Sequence, residues 1–133
     1  MTDATLTALE KVLDLRTQAH QIHTSNLANA NVNDYKAKKI DFDQRLRQAL
    51  EPLKDSENQT QKTIEIQAKQ ELNNVVADVY EDPLAPKNGN GNTVNPDQEQ
   101  AEIAKNMIGY QTAIQLVNKK LALQKYIISE GGR

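Results

Sequence analysis

The sequence predicts a mainly α-helical chain, with long amphipathic helices at its N- and C-termini packing as an antiparallel, coiled-coil-like pair and a short irregular or β middle segment. Three observations predict it. Apolar residues recur at alternating spacings of three and four near both ends. The middle is polar and broken by Pro and Gly. Large core-filling side chains are scarce, with one Phe, four Tyr and no Trp in 133 residues. Hydrophobic content is 38% with a mean hydropathy of −0.72, below the ~45–50% of ordinary domains. The helices are therefore expected to find apolar partners in other chains.

Residues 5–30 read as one helix about 39 Å long. Leu6, Leu9, Leu13, Arg16, His20, His23, Leu27 and Ala30 form one row. Ala8, Val12, Leu15, Ala19, Ile22 and Asn26 form a second row beside it. The first half of the stripe is leucine-rich, whereas His20, His23 and Asn26 make the second half polar; a polar seam residue selects register or partner at some cost in stability. Four asparagines then fall in eight positions, at Asn26, Asn29, Asn31 and Asn33. Short amide side chains bond nearby backbone and tolerate left-handed geometry, so they end helices. A turn is expected at Val32-Asn33-Asp34, with Asn33 or Asp34 left-handed, followed by an extended run over 35–40.

A second, short helix is expected near 42–52, capped by Asp41 with Gln44 as its reciprocal partner. Its stripe is Phe42, Leu46, Ala49, Leu50 and Leu53. Residues 54–62 read as polar loop. Thr63-Ile64-Glu65-Ile66-Gln67 alternates with period two, as do Val75, Ala77 and Val79, which allows a short strand pair; the intervening A-K-Q-E-L-N-N is equally consistent with a helical turn. Two prolines and two Asn-Gly steps make 81–95 the clearest linker. Asn95-Pro96-Asp97-Gln98 reopens a helix, with Asn95 as cap and Pro96 at its first position. Its stripe of Ile103, Met107, Tyr110, Ile114, Val117, Leu121, Gln124 and Ile128 is the strongest periodic signal in the chain, flanked by Ala113, Leu116, Leu123 and Ile127. Gly131-Gly132 ends it. The organisation expected is a helical assembly core of residues 1–31 with 96–133 and a middle segment of 32–95.

The chemistry excludes more than it suggests. A net charge of −2 offers no basic field for nucleic acid or anionic membrane. Zero cysteines exclude disulfides and thiolate metal sites. The first ten residues carry Asp3 and Glu10 and read as no cleavable signal peptide, and no run reaches the ~20 apolar residues of a membrane span. No nucleophile elbow, phosphate loop or zinc-protease motif is present, so no catalytic, cofactor or metal residue is assigned. His20 and His23 stand one helical turn apart but read as seam positions. Asn58-Gln59-Thr60 fits a glycosylation triplet by chance in a polar loop.

The stretch Ser25-Asn26-Leu27-Ala28-Asn29-Ala30-Asn31, with Tyr35 and a later Asp41-Phe42, resembles the N-terminal signature of bacterial flagellar rod, hook and hook-filament junction proteins. Val32-Asn33-Asp34 stands where that signature has Thr-Pro-Gly. Gly91-Asn92-Thr93-Val94 followed by Gln98-Glu99 is similar to the smallest, most proximal rod subunits. The resemblance implies a structural subunit of the basal-body rod, exported through the flagellar type III apparatus without signal cleavage. It implies assembly in the periplasm through the terminal helices, transmitting torque, with Leu6, Leu9, Leu13, Ile22, Leu27, Ile103, Met107, Tyr110, Ile114, Val117, Leu121 and Ile128 at the interfaces. The partners implied are further copies, other rod proteins of the FlgC and FlgF type, and the ring-side junction protein FliE. The alternative class is a cytosolic helical adapter or chaperone-like binder, a folded soluble oligomer of defined size.

Overall fold

Asp3 starts the first helix by accepting a hydrogen bond from the Leu6 amide at 2.9 Å, the bond expected of an N-cap carboxylate. The computed structural model describes residues 3–54 and 60–132, and its elements run α1 (Ala4–Ala28), β1 (Lys38–Asp41), α2 (Asp43–Leu50), a single 3-10 turn (Glu51–Leu53), α3 (Gln61–Asn73), β2 (Asp78–Glu81) and α4 (Pro96–Gly131). The mainly helical class and the paired terminal helices are as expected. The two helices run antiparallel: Asp3 pairs with Lys120 at 2.8 Å, Arg16 with Asn106 at 3.2 Å and His23 with Glu99 at 2.7 Å.

The two rows of α1 face different neighbours. Arg16 and His23, of the first row, turn to α4. Leu15 and Ala19, of the second, join Phe42, Ala49, Leu72 and Val75 in the hydrophobic core. That core lies between α1, α2 and α3, and Leu15 and Leu72 are 2% and 0% exposed in it. Ile40, Leu46 and Leu50 flank it. Thus α1 is shared, carrying α4 on one side and the middle segment on another.

The middle segment departs from expectation in three places. Residues 63–67 are helical, inside α3, because Ile64, Ala68 and Leu72 recur every fourth residue and all three are buried. Ile66, which made the alternation look strand-like, is 49% exposed. Asp41 does not cap α2. It ends β1, Phe42 occupies the cap position without a side-chain bond, and Asp41 Oδ1 instead accepts from the Asp43 amide at 3.2 Å. Burial of Phe42 in the core sets this offset. Of the loop expected over 54–62, residues 55–59 lie outside the described part, as do Asn58 and Gln59 of the glycosylation triplet, while 61–62 already belong to α3.

The strand pair does form, but between β1 and β2, antiparallel, with Lys38 opposite Glu81 and Asp41 opposite Asp78. Two carboxylates facing each other across strands repel. Arg45 from α2 offsets this by gripping Asp78 with two hydrogen bonds, of 2.9 and 2.7 Å. Lys39 closes the other end on Asp82 at 3.0 Å.

α4 spans 36 residues against 25 for α1, about 54 Å against about 38 Å. Asn95 caps it, accepting from the Gln98 amide at 3.3 Å, with Pro96 in its first turn. Past Lys120, which ties to Asp3, the helix continues to Gly131 with Leu121, Leu123, Tyr126, Ile127 and Ile128 between 49% and 75% exposed. Amides of 122–130 are therefore expected to exchange with deuterium much faster in the dilute monomer than those of 103–117, because packing supplies most helix stability. Equal protection along α4 would contradict this.

A second expectation concerns acid. Burial disfavours the charged carboxyl of Asp3, but hydrogen bonds from Lys120 and the Leu6 amide outweigh it and hold its pKa below the usual value. A carboxyl depressed in the folded state stabilises above its unfolded pKa, and that stability is lost as pH falls through the folded value. Asp3→Ala should cost about 1 kcal/mol at pH 7. In urea titrations the deficit should shrink below about pH 4.

Candidate assembly interface

The asparagine cluster is a junction and not a loose helix end. Asn26 is wholly buried. Its Nδ2 donates to the Lys38 carbonyl at 2.7 Å and to Glu99 Oε1 at 3.1 Å, and its Oδ1 accepts from the Lys38 amide at 3.0 Å. The carboxamide thus pairs with β1 as a neighbouring strand would, and covers part of an edge that would otherwise present unpaired backbone. Glu99 Oε2 meets His23 Nδ1 at 2.7 Å; an ionised carboxylate can only accept, which places a proton on Nδ1. One side chain therefore joins α1, β1 and the first turns of α4.

The chain turns where the spacing said it would. α1 ends at Ala28, Asn29 caps it with its amide bonding back to Ser25 and Asn26, and Asn29 Nδ2 donates to the Ser25 carbonyl at 2.7 Å. Asp34 is left-handed, with φ of +58°, the role open between it and Asn33. Its amide donates to Asn90 across the molecule at 3.0 Å. The linker at 81–95 thereby proves to be pinned. Asn92 is fully buried, its Nδ2 donates to the Asn29 and Val32 carbonyls at 2.8 and 2.7 Å, and its Oδ1 accepts from Val94 at 2.7 Å. Thr93 donates its amide to Tyr35 at 3.0 Å, and its Oγ1 accepts from Ala37 at 2.8 Å. Gly91, with φ of +79°, sits against Asp34 so closely that an added Cβ would strike that carboxylate.

The apolar stripes divide by cover. Leu6 is buried inside the chain. Leu9, Leu13, Ile22, Leu27, Ile103, Tyr110 and Val117 are half-buried. Met107, Ile114, Leu121 and Ile128 are exposed. On α4 the buried residues are Asn106 and Ala113, so the strongest periodic stripe in the sequence is also the least covered. Val79 and Tyr80 add about half-exposed apolar surface on β2.

A cleft of about 580 Å³ opens between the β1–β2 strand pair, the 85–95 loop and the start of α4. Its Glu99 and Asp82 are already engaged by His23 and Lys39. Among the described residues no group of three or more His, Cys, Asp or Glu is placed to hold a metal ion, and no helix is long and apolar enough to cross a membrane. His20 is exposed and apart from the His23–Glu99 pair.

No protein-family model matches the chain. Among curated proteins it is similar to the flagellar basal body rod protein FlgB of Aeromonas hydrophila, 30% identical over 83% of this chain and 81% of the relative. It is 35% identical to the FlgB of Cereibacter sphaeroides over 84% of both chains. The chain belongs to the FlgB family of flagellar basal body rod proteins. The FlgB of Escherichia coli K12 extends the similarity to 97% of this chain at 28% identity. A FlgB-family chain is a structural subunit of the rod and not an enzyme.

FlgB-family membership gives the signature a physical content. Asn26, Asn29 and Tyr35 build the junction, Phe42 is 8% exposed in the core, and Asp41 closes β1. Ser25, Ala28 and Asn31 remain on the surface, with Leu27 and Ala30 half-buried. Asn92 and Glu99 stood out in the sequence only through resemblance, and their role as partners of the junction was missed. It also missed Asn106, whose Nδ2 donates to the Arg16 carbonyl at 2.7 Å. The positive φ at Gly91 is the one local sign that the linker closes on something.

Asn92→Ala would strip two carbonyls and one amide of a buried partner and should cost about 2–4 kcal/mol, read from urea unfolding. Asp34→Gly, which removes the side-chain penalty of left-handed backbone, should be neutral or stabilise by up to about 1 kcal/mol. Asp34→Val should destabilise. If Asp34→Val unfolds at the same urea concentration as the parent, the backbone there does not need its positive φ.

Proposed function

We propose that this subunit polymerises through both terminal helices into the proximal rod and passes torque through the periplasm. The observation that carries the reading is α4: a long, regular apolar stripe that its own chain leaves open at Met107, Ile114, Leu121 and Ile128. A stripe of that regularity packs on another helix, and in a rod subunit that helix belongs to a neighbour. Copies of this chain and rod proteins of the FlgC and FlgF type supply neighbours along the rod, and FliE supplies the ring-side contact. Residues 1–31 with 96–133 form the assembly part, and 32–95 rides on it as the middle segment.

Delivery fits the same picture. A core of few large side chains is compatible with passage through the type III export apparatus in an unfolded state, without signal cleavage. The absence of cysteine removes any disulfide that periplasmic oxidation would form.

Ile114→Asp and Leu121→Asp test the reading. Both positions are 37% or more exposed, so the monomer should lose no more than about 0.5 kcal/mol. In an assembled seam the unpaired carboxylate would be desolvated, at several kcal/mol. A strain carrying either variant as its sole copy should make the subunit at normal levels and fail to swim in soft agar. Normal swimming by both would favour the adapter class instead.

A further inference from the structure

We infer that the free end of α4 in one copy seats in the groove between α1 and α4 of the next copy, with Glu130 meeting Arg16. The inference deepens the rod reading and rests on it, by naming which surfaces of two like chains touch. The groove lies midway along the helix pair, a cavity of about 440 Å³ walled by His20, Met107, Tyr110 and Ile114 and lined also by Arg16.

Arg16 is the unusual residue there. Its Nη1 donates to Asn106 Oδ1 at 3.2 Å, and its guanidinium lies 5.9 Å from the centroid of the Phe42 ring. It is packed so tightly on Gly109 that a Cβ at that position would collide with it. Its Nε is buried with no hydrogen-bond partner, and no carboxylate pairs with it among the described residues. A half-buried guanidinium left without an anion is unfavourable, and a carboxylate is the group that its fork of donors fits.

The chain carries the complement. Leu123, Tyr126, Ile127 and Glu130 share one face of α4 beyond Lys120, at spacings of three and four, all exposed. Glu130 forms no ion pair among the described residues. Groove and tail sit on one continuous helix about 25 Å apart, so they cannot meet within a molecule. Nor is the contact self-complementary, since tail meets groove and not tail. Such a head-to-tail contact propagates from copy to copy and builds a helical row unless its rotation closes a ring.

The absence of native cysteine makes cross-linking clean. Full-length Met107→Cys and Ile127→Cys chains are mixed and oxidised at concentrations where the parent self-associates in sedimentation velocity. The mixed disulfide should exceed either like-with-like product. Glu130→Arg, added to the Ile127→Cys chain, should cut its yield at least about tenfold. Arg16→Glu in the Met107→Cys chain should then restore it. Because Arg16→Glu risks the fold, Glu130→Arg is decisive alone, as an exposed position whose folding is checked by circular dichroism. Preferential Ile127→Cys self-coupling, or a yield that ignores Glu130→Arg, would overturn the proposal. So would chains that never cross-link yet restore swimming, and that outcome leaves the rod reading standing. Failure of the rod reading shows elsewhere, as normal swimming by Ile114→Asp and Leu121→Asp.

Discussion

Everything in this chain hangs on a buried carboxamide. Asn26 satisfies both backbone groups of Lys38 and one oxygen of Glu99, and in doing so fixes the β1–β2 strand pair and α4 to α1. An apolar residue of the same size would leave those groups without that partner inside the molecule, where each unmet bond costs about 1–3 kcal/mol. Asn92 repeats the device at the next turn of chain, holding the end of α1 to the loop before α4. With few large side chains to bury, the fold relies on amides where others rely on leucine and phenylalanine. Amides are directional, so they specify geometry as well as adhesion.

The consequence for packing is a division of labour along α1. Its small core, with Leu15 and Ala19 at the centre, holds the middle segment. Its other row meets α4 through polar pairs, Arg16 with Asn106 and His23 with Glu99, closed by Asp3 with Lys120. Polar pairs set register without hiding much apolar surface. The apolar area that α4 keeps exposed is the surface that the proposed rod contacts would cover.

How far the sequence could be read depends on how local each signal is. The cap at Asn95-Pro96 and the turn at Val32-Asn33-Asp34 are written within a few residues and the stripe of α4 within one helix, and all three were legible. The helical character of 63–67 was harder. Ile64 and Ile66 alternate like a strand, and the choice goes to the helix through Leu72, eight residues on, where the row of four-residue steps reaches the core. Asp41 looked like a cap because its neighbours suit one, but burial of Phe42 shifts the helix start past it. The role of Asn92 could not be read from its neighbours, since the two carbonyls it holds lie about sixty residues upstream in the chain. Tertiary contacts overrode local pattern most at 63–67, inside α3.

Arg16 and Gly109 carry one more implication. The guanidinium occupies the space where a side chain at 109 would begin, and glycine inside a helix is about 1 kcal/mol less favourable than alanine. A bulkier residue at 109 would therefore displace the end of the Arg16 side chain, which is long enough to swing aside, and the guanidinium would leave the place it holds beside Asn106 and Phe42. The size of residue 109 thus sets where the charge of Arg16 sits between the two helices.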